Sequence, residues 1–587
     1  AVRLESRYTK EEILTLYLNT VDFGAYNTFG IKSAARTYFN TTPDKLRPDQ
    51  AAVLIGMLKG PSFYSPTHNP ERALARRNTV LDNMRKAGYL SDEETEKFQE
   101  TPLNLDFNPS NYNVGLAPYF RAMLKKEIQR IFEEQSITKA DGTPYDLDRD
   151  GLKIYSTINA SMQKYAEDAV QEHMRAQQVT FNQHWSGRNP WVNERMREIK
   201  GFIVTAMKRT ERYRNLMEAY NNDELKVWEE LKRPVKMTVF SYKGDIDTTL
   251  SPLDSMRYYK RILNIGMMSM DPTNGHVKAW IGGINYKYFK YDHISQSKRQ
   301  PGSTFKPLGA LIALDEGLIT PNFGYNCFGS YGACGDPRKC EHHNAGHAAN
   351  LQLALAYSCN SYFLQVFRMA IDNPKYKSAK GGYVKWKEYM NAFGFGRKLG
   401  VDLPSENKAN IPDTAKYSKD FGNPKYWNSC YMLTLGIGQD RMTATPLQLA
   451  NSMAFIANDG YYYTPHFVDS IESETQEEAA QLAPFRKKQK VTKIPKEYFD
   501  VIKEGMHDVT VYGTAAFIKV PGHEYCAKTG TAQNPHGKNH SLFVCFAPKD
   551  NPKIAVAVIV ENAGYGSTWA GPIGGLLMEQ YLNDTLT

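Results

Sequence analysis

Three short motifs outline the chemistry available to this chain of 587 residues. The first contains Ser303 and Lys306, the second is Ser358-Cys359-Asn360, and the third is Lys528-Thr529-Gly530-Thr531. On one helical turn the hydroxyl of Ser303 and the amine of Lys306 share a face, so the amine can take the hydroxyl proton as the oxygen attacks a carbonyl. The set therefore predicts a serine nucleophile that forms an acyl-enzyme.

The second and third motifs supply groups that such a nucleophile needs around its substrate. Ser358 adds a hydroxyl and Asn360 an amide, whereas the third motif adds a strand with a cation and hydroxyls, which suits a substrate carrying a carboxylate. Each motif alone is weak evidence for this function, because the same residue types also occur where ordinary strands run into turns. Their order along the chain is what favours the functional interpretation.

Longer segments around these motifs resemble the class A, bifunctional penicillin-binding proteins, which make and crosslink peptidoglycan. The matching segments are residues 151–159, 269–275, 299–307, 435–439 and 443–448. The resemblance runs almost end to end. It implies a multidomain α+β fold, in which a helical glycosyltransferase remnant is followed by a transpeptidase domain with an antiparallel sheet sandwiched by helices, plus a helical subdomain.

The same resemblance implies a role for each catalytic residue. Ser303 is the expected nucleophile and Lys306 its base, which needs burial or a second cation such as Lys528 to release its proton. Ser358 is expected to relay the proton to the leaving amine, and Asn360 to hydrogen-bond the substrate amide and fix Lys306.

Substrate binding is expected on the third motif. The hydroxyls of Thr529 and Thr531, with Gly530 between them, would bind the terminal carboxylate. The backbone N–H groups of Ser303 and Thr531 are expected to form the oxyanion hole, since a tetrahedral oxygen needs two donors aimed at it. The resemblance implies stem peptides ending in D-Ala-D-Ala as substrates and β-lactams as covalent inhibitors, with no cofactor and no metal.

Two other classes of protein could use these motifs. A β-lactamase would need a glutamate that holds a hydrolytic water, and Glu406 is the candidate between the second and third motifs. Its surroundings, residues 400–406, resemble a turn of the transpeptidase family, which disfavours hydrolysis. A penicillin-binding sensor would not need the glycosyltransferase-like segment, residues 1–90.

The domain boundaries that we predict follow from these segments. Residues 1–90 form the C-terminal part of a glycosyltransferase domain, residues 91–150 a connector, and residues 151–587 the transpeptidase domain with an inserted, mainly helical arm at about 175–262. In the family, the membrane anchor and the catalytic glutamates precede the first of these segments. We therefore expect this chain as given not to polymerise glycan, and we assign Glu5 and Glu12 to surface and capping positions.

Composition limits the remaining possibilities. The net charge of +9 is spread along the chain and no basic block interleaves with aromatics, which argues against a nucleic-acid partner. No run approaches the roughly 18 apolar residues that a membrane helix needs. The resemblance implies attachment through an anchor outside this sequence, at the extracytoplasmic face of a bacterial membrane, with cell-wall synthesis partners that the sequence does not identify.

Seven cysteines leave at least one unpaired within the chain. Cys327, Cys334 and Cys340 lie close to His342, His343 and His347, so zinc is one alternative, although the spacings differ from those of common zinc motifs. A disulfide suits an extracytoplasmic compartment better, and Cys327 with Cys340 is the predicted pair. Cys359 and Cys526 are expected to be small buried residues.

Overall fold

The computed structural model describes residues 5–24, 28–107, 115–134, 138–139, 141–147, 153–193, 195–340, 346–403, 406–421, 427–472, 488–490 and 493–586. The chain divides into two compact units. One consists of Ala1–Gly115 with Ile128–Lys153, and the other of Leu116–Glu127 with Ile154–Thr587.

The first unit is helical. Its helices begin with α1 (Lys10–Thr20), α2 (Ile31–Phe39), α3 (Pro48–Met57), α4 (Pro70–Lys86) and α5 (Asp92–Glu100). The predicted cap of α1 is confirmed, because the Glu12 N–H donates to Thr9 Oγ1 at 3.2 Å and the Thr9 N–H donates to the Glu12 carboxylate at 2.7 Å. Phe23, Tyr38 and Leu54 lie in its small apolar core. Glu5 and Glu12 are both exposed.

Helix α6 (Pro118–Glu134) contributes to both units, and the second unit then alternates helices with short strands. The elements up to the nucleophile motif are β1 (Lys153–Ser156), α7 (Ala160–His184), α8 (Phe202–Lys208), α9 (Glu211–Ala219), α10 (Glu224–Lys232), β2 (Val235–Val239), β3 (Ile246–Leu250), α11 (Pro252–Tyr259), β4 (Ile265–Met270) and β5 (Val277–Ile281). Helix α7 includes the helix predicted over residues 162–174.

The remainder of the second unit is mainly helical until its last three strands. It contains α12 (Lys306–Asp315), β6 (Ser330–Tyr331), β7 (Arg338–Lys339), α13 (Leu351–Ala356), α14 (Asn360–Ile371), α15 (Ala379–Ala392), α16 (Thr414–Phe421), α17 (Pro446–Ala457), β8 (Tyr461–Tyr463), β9 (Val468–Glu472), β10 (Lys488–Lys490), α18 (Lys496–Val511), β11 (Cys526–Ala532), β12 (His540–Ala547), β13 (Ile554–Val560) and α19 (Ala570–Leu586). Short 3-10 helices cover Gly302–Phe305 and Ser429–Ile437.

A five-stranded antiparallel sheet forms the centre of this unit, in the order β11-β12-β13-β4-β5. Both faces are buried, as the nearly continuous apolar strands require. One face, with Val544 of β12, packs against α17, and the other, with Phe543, packs against α7 and α19. The predicted α+β architecture is therefore confirmed, including the hairpin of β11 and β12 and the closing helix.

The segment predicted as an inserted arm contains α8 to α11 and the antiparallel ladder of β2 and β3. It has an apolar cluster of its own, which includes Trp191, Ile203 and Leu231. The predicted start of the arm, at about residue 175, falls inside α7, because that helix continues to His184.

Candidate active site

The nucleophile motif begins in a 3-10 turn. Ser303 lies in the turn Gly302–Phe305, and Lys306 is the first residue of α12, so the two residues are one helical turn apart, as predicted. The turn lies against the third motif. A Cβ atom at Gly302, where φ is 54°, would stand 2.5 Å from the carbonyl oxygen of Thr531. Only glycine permits this approach, which places Ser303 beside strand β11.

Lys306 joins the first motif to the second. Its side chain is fully buried, and Nζ donates to the Ser358 carbonyl oxygen at 2.7 Å, to Ser358 Oγ at 3.0 Å and to Asn360 Oδ1 at 2.7 Å. These three oxygen atoms hold Nζ at the junction of the first two motifs. The amide of Asn360 is oriented in turn, because its Nδ2 donates to the Lys339 carbonyl at 3.0 Å.

The backbone of Ser358 is in the left-handed region, with φ of 54°. Non-glycine residues adopt this conformation at a cost on the order of 1 kcal/mol or more, and strained residues of this kind are enriched at functional sites. Helix α13 ends at Ala356 and α14 begins at Asn360, so Ser358 forms the turn between them. This conformation turns both of its oxygen atoms towards Lys306.

Lys528 of the third motif is the second buried cation of the site. Its side chain is completely buried, and Nζ donates to the Thr529 carbonyl at 3.2 Å. Burial, and then the charge of Lys306, hold the pKa of the Lys528 ammonium well below its ordinary value. Mutual repulsion between these two lysines makes it easier for the pair to lose one proton, as the predicted chemistry requires.

The three motifs meet at a cleft of about 530 Å³. Its lining includes the predicted residues Ser303, Ser358, Asn360, Thr529, Gly530 and Thr531. Lys306 and Lys528 lie beneath this surface. Other lining residues were not predicted from the sequence, and they are His347, Tyr357, Gln439, Gly513, Thr514, Gln533, Asn539, Tyr565, Gly566, Ser567 and Thr568. Neutral polar side chains predominate among them.

Thr514 is the unpredicted residue with the most direct link to the third motif. Its hydroxyl lies 2.7 Å from that of Thr529, and its backbone N–H donates to the Ala356 carbonyl at 3.1 Å. Thr514 therefore connects the end of α13 with strand β11. No local pattern in the sequence identifies it, because the contact depends on how α18 returns the chain to the cleft.

Glu406 is not placed to activate water in this cleft. Its buried carboxylate accepts the backbone N–H groups of Leu399, Gly400 and Val401, at 2.5, 3.0 and 3.2 Å. Burial raises its pKa, and these three hydrogen bonds counteract the increase. The residue stabilises a turn and is not among the residues that line the cleft.

The predicted Cys327–Cys340 disulfide is wrong. Cys334 is bonded to Cys430 instead, with their Cα atoms 5.4 Å apart, and both Cys327 and Cys340 are free and buried. The error arose because the 3-10 helix Ser429–Ile437, distant in sequence, packs beside this stretch. Cys359 and Cys526 are buried, as predicted.

The histidines of the zinc alternative are only partly described. His342 and His343 lie outside the described residues. The ring of His347 stacks on Tyr357, with centroids 3.6 Å apart.

Within the described residues, no helix has both the length and the apolar character needed to cross a membrane.

Three family models match the chain. The model of the penicillin binding protein transpeptidase domain covers residues 265–579, which is more than half of the chain. A transglycosylase model matches residues 1–85, and a penicillin-binding protein middle domain matches residues 186–263. The middle-domain match overlaps the segment that we predicted as an inserted arm.

Individual relatives agree with these matches. The chain is 25% identical to penicillin-binding protein 1A of Escherichia coli over 81% of its own length and 53% of that protein. It is also 25% identical to the protein of the same name from Neisseria flavescens, over 98% of this chain and 69% of the relative. The chain thus spans about half the length of the first and just over two thirds of the second.

A solved structure supports the fold. The crystal structure of penicillin-binding protein 1A from Haemophilus influenzae matches 98% of this chain and 86% of that one, with a TM-score of 0.55 and 18% identity. At that identity the similarity concerns the fold alone. Together with the transpeptidase and transglycosylase matches and the convergence of the three motifs, these findings establish that the chain belongs to the penicillin-binding protein transpeptidase family, in its class A form.

Proposed function

We propose that this chain crosslinks peptidoglycan as a serine D,D-transpeptidase. Its donor substrate is a stem peptide that ends in D-Ala-D-Ala, and its acceptor is an amine of a second stem peptide. The observation that carries this proposal is the buried Lys306, whose Nζ contacts both Ser358 and Asn360 while Lys528 lies close enough to affect it electrostatically.

Acylation begins with the neutral amine of Lys306. The amine takes the proton of Ser303 as Oγ attacks the carbonyl carbon between the two D-alanines. Backbone N–H groups of Ser303 and Thr531 stabilise the oxyanion, and the close approach of Gly302 to Thr531 supports this placement. Lys306 then passes the proton through Ser358 Oγ to the nitrogen of the leaving D-alanine, which restores the neutral amine.

Transfer to the acceptor reverses the proton path. The acceptor amine attacks the ester carbon and gives a proton to Lys306, which returns it to Ser303 Oγ as the ester bond breaks. The neutral polar cleft leaves room for this second peptide beside the motifs. The terminal carboxylate of the donor binds at Thr529 and Thr531, with the charge of the buried lysines behind them.

β-Lactams are expected to acylate the same residue, because their strained amide lies beside a carboxylate as the D-Ala-D-Ala bond does. The test is intact mass spectrometry after exposure to a penicillin, followed by mapping of the modified peptide. One adduct at Ser303 is expected, and Ser303→Ala should carry none while keeping the wild-type circular dichroism. An adduct of equal yield on another residue of that variant would overturn the assignment.

Hydrolysis of β-lactams is the weaker candidate function. The carboxylate of Glu406 is engaged by three backbone N–H groups, and the residue does not line the cleft. A penicillin label should therefore remain on the protein after free drug is removed. Rapid loss of the label with release of the opened drug would favour a β-lactamase. A sensor role is disfavoured by the transglycosylase match at residues 1–85.

The setting of the parent protein is also a proposal. The class A family implies a membrane anchor, an extracytoplasmic location and glycan polymerisation by the complete glycosyltransferase domain. A solved structure that matches 75% of this chain with a TM-score of 0.51 belongs to a peptidoglycan synthase complex. We infer that the whole protein works beside other cell-wall synthesis proteins, and co-purification of the full-length protein from membranes is the test.

A further inference from the structure

Three free thiols meet directly behind the second motif. The sulfur atoms of Cys327, Cys340 and Cys359 all lie within 4.8 Å of one another, and those of Cys340 and Cys359 are 3.7 Å apart. All three residues are at least 95% buried. The cysteines come from separate places in the sequence, so this cluster, which we call the thiol cluster, is a product of the tertiary fold.

The local fold explains how the cluster forms. Strands β6 and β7 pair as a small ladder that brings Cys327 and Cys340 towards each other, and the Cys340 N–H donates to the Gly329 carbonyl at 2.9 Å. Cys359 caps the N-terminus of α14 and faces this ladder. The disulfide of Cys334 and Cys430 holds the other end of the same stretch. The thiol cluster therefore lies in a segment that a strand ladder and a disulfide hold in place.

One pair of sulfur atoms in the cluster has the separation of metal ligands. A thiolate lies about 2.3 Å from a bound zinc ion, so two thiolates of one tetrahedral or trigonal site are roughly 3.7 to 4 Å apart. Cys340 and Cys359 already have this separation. A disulfide between them would use two of the three sulfurs and leave Cys327 without a covalent partner, whereas a metal ion uses all three.

Polar groups and a helix terminus surround the three sulfur atoms. The Asn360 N–H donates to Cys340 Sγ at 3.3 Å, and Cys327 Sγ lies 3.5 Å from the Ser361 hydroxyl. The cluster is at the positive end of the α14 dipole. Thiolates are the ligands that soft cations select.

We propose that Cys327, Cys340 and Cys359 bind one soft cation, Zn²⁺ or Cu⁺, through three thiolates. Binding releases the three S–H protons to solvent and forms three metal–sulfur bonds, with no change of oxidation state. Copper(I) is satisfied by three thiolates, whereas zinc needs a fourth donor such as water. The proposal concerns binding only and does not depend on the transpeptidase function.

The site would also have a consequence for the second motif. Asn360 donates its backbone N–H to Cys340, and its side chain accepts from Lys306. A cation bound to Cys340 and Cys359 would fix both flanks of Asn360. Asn360 thereby becomes the link between the metal site and the buried lysine, and metal removal should slow penicillin acylation by the proposed mechanism without abolishing it.

Cadmium is the spectroscopic probe for the test. The whole chain, reduced and freed of metal, is titrated with Cd²⁺ alone while the ultraviolet thiolate-to-metal band is recorded. One equivalent should bind, and Cys327→Ser, Cys340→Ser and Cys359→Ser should each lose about one third of the band, because each removes one of three thiolates. Cys545→Ala, which alters a buried cysteine of the sheet, is the matched control and should bind as wild type does.

Further measurements distinguish Zn²⁺ from Cu⁺ and test whether the cysteines are oxidised to a disulfide instead. Competition by Zn²⁺ and by Cu⁺ against bound cadmium shows which of the two binds more tightly. In the wild-type chain, bound cadmium should slow alkylation of the three cluster thiols and leave the rate at Cys526 unchanged, which keeps the test independent of how the variants fold. Absence of a band in wild type, a band as strong as that of wild type in all three variants, or a native Cys340–Cys359 disulfide found by peptide mapping would overturn the proposal.

Discussion

Ser358 presents two oxygen atoms to Lys306, its carbonyl at 2.7 Å and its hydroxyl at 3.0 Å from Nζ. One residue can do this because its backbone adopts φ of 54° in the turn before α14. The conformation disfavours any residue with a Cβ atom, so local stability is given up for the orientation of the Lys306 side chain.

The first prediction separates these two effects by comparing Ser358→Ala with Ser358→Gly. Both variants lack the hydroxyl and should acylate more slowly with a fluorescent penicillin. Ser358→Gly should be the more stable of the two, by about 1 kcal/mol in urea unfolding, because glycine adopts positive φ without steric cost. Equal unfolding free energies would show that this backbone conformation carries no strain.

The second prediction concerns proton transfer. Lys306→Met keeps an unbranched side chain in the buried position but removes the amine. We expect penicillin acylation to slow by about 10²- to 10⁴-fold, the usual contribution of a general base. The control is Lys496→Met, because Lys496 is exposed and pairs with Asp500 on the surface of α18. Equal second-order rate constants for Lys306→Met and wild type would exclude this lysine as the base.

The third prediction addresses Thr514, whose hydroxyl lies 2.7 Å from that of Thr529. Thr514→Val removes the hydroxyl at nearly constant shape and should weaken reversible penicillin binding before acylation by about 1 kcal/mol, or roughly fivefold. Thr514→Ser keeps the hydroxyl and should bind as wild type does. Stopped-flow measurement of the concentration dependence of acylation separates binding from chemistry. An unchanged binding constant in Thr514→Val would exclude a role in carboxylate recognition.

The fourth prediction concerns the observed disulfide. Cys334 and Cys430 are separated by 96 residues in sequence, so their bond restricts a large part of the unfolded chain. The double variant Cys334→Ser, Cys430→Ser should lose about 2 to 4 kcal/mol of unfolding free energy. A reducing agent should destabilise wild type to a similar extent and leave the double variant unchanged. If reduction has the same effect on both proteins, the bond is not the source of the stability.

The fifth prediction follows from the buried carboxyl of Asp402. Burial raises its pKa from 3.8 to about 7, although the backbone N–H groups of Phe467 and Val468 donate to it. Between these two values the folded state keeps a proton that the unfolded state releases, so this group makes the protein less stable as pH rises from about 4 to 7. Above about pH 7 the folded state has also released this proton, and the stabilisation that the proton gave at low pH is lost.

The variant Asp402→Asn tests whether the contribution of Asp402 to stability falls as pH rises. The amide does not titrate, so the difference in unfolding free energy between wild type and variant should fall as pH rises through the same window. Guanidinium unfolding at several pH values measures it. Parallel curves for the two proteins would mean that Asp402 titrates alike in the folded and unfolded states.

The sequence motifs predicted which residues meet at the cleft, but not how these residues are arranged there. Ser303, Lys306 and the β11 strand were identifiable because their chemistry is tied to short, ordered spacings. The left-handed turn at Ser358 and the role of Thr514 were not, because each depends on segments brought together by folding. The Cys334–Cys430 bond was missed for the same reason, since sequence proximity had suggested Cys327 and Cys340.

The order of strands in the central sheet has a consequence for synthesis of the protein. Strands β4 and β5 leave the ribosome long before β13, yet β4 pairs with β13 through Ile265 and Val560. The early hairpin must therefore remain unpaired along one edge until almost the whole chain has been made. A chain that stops before residue 554 would expose that edge and lack a complete scaffold, so premature termination should yield aggregation-prone material that depends on chaperones for its solubility.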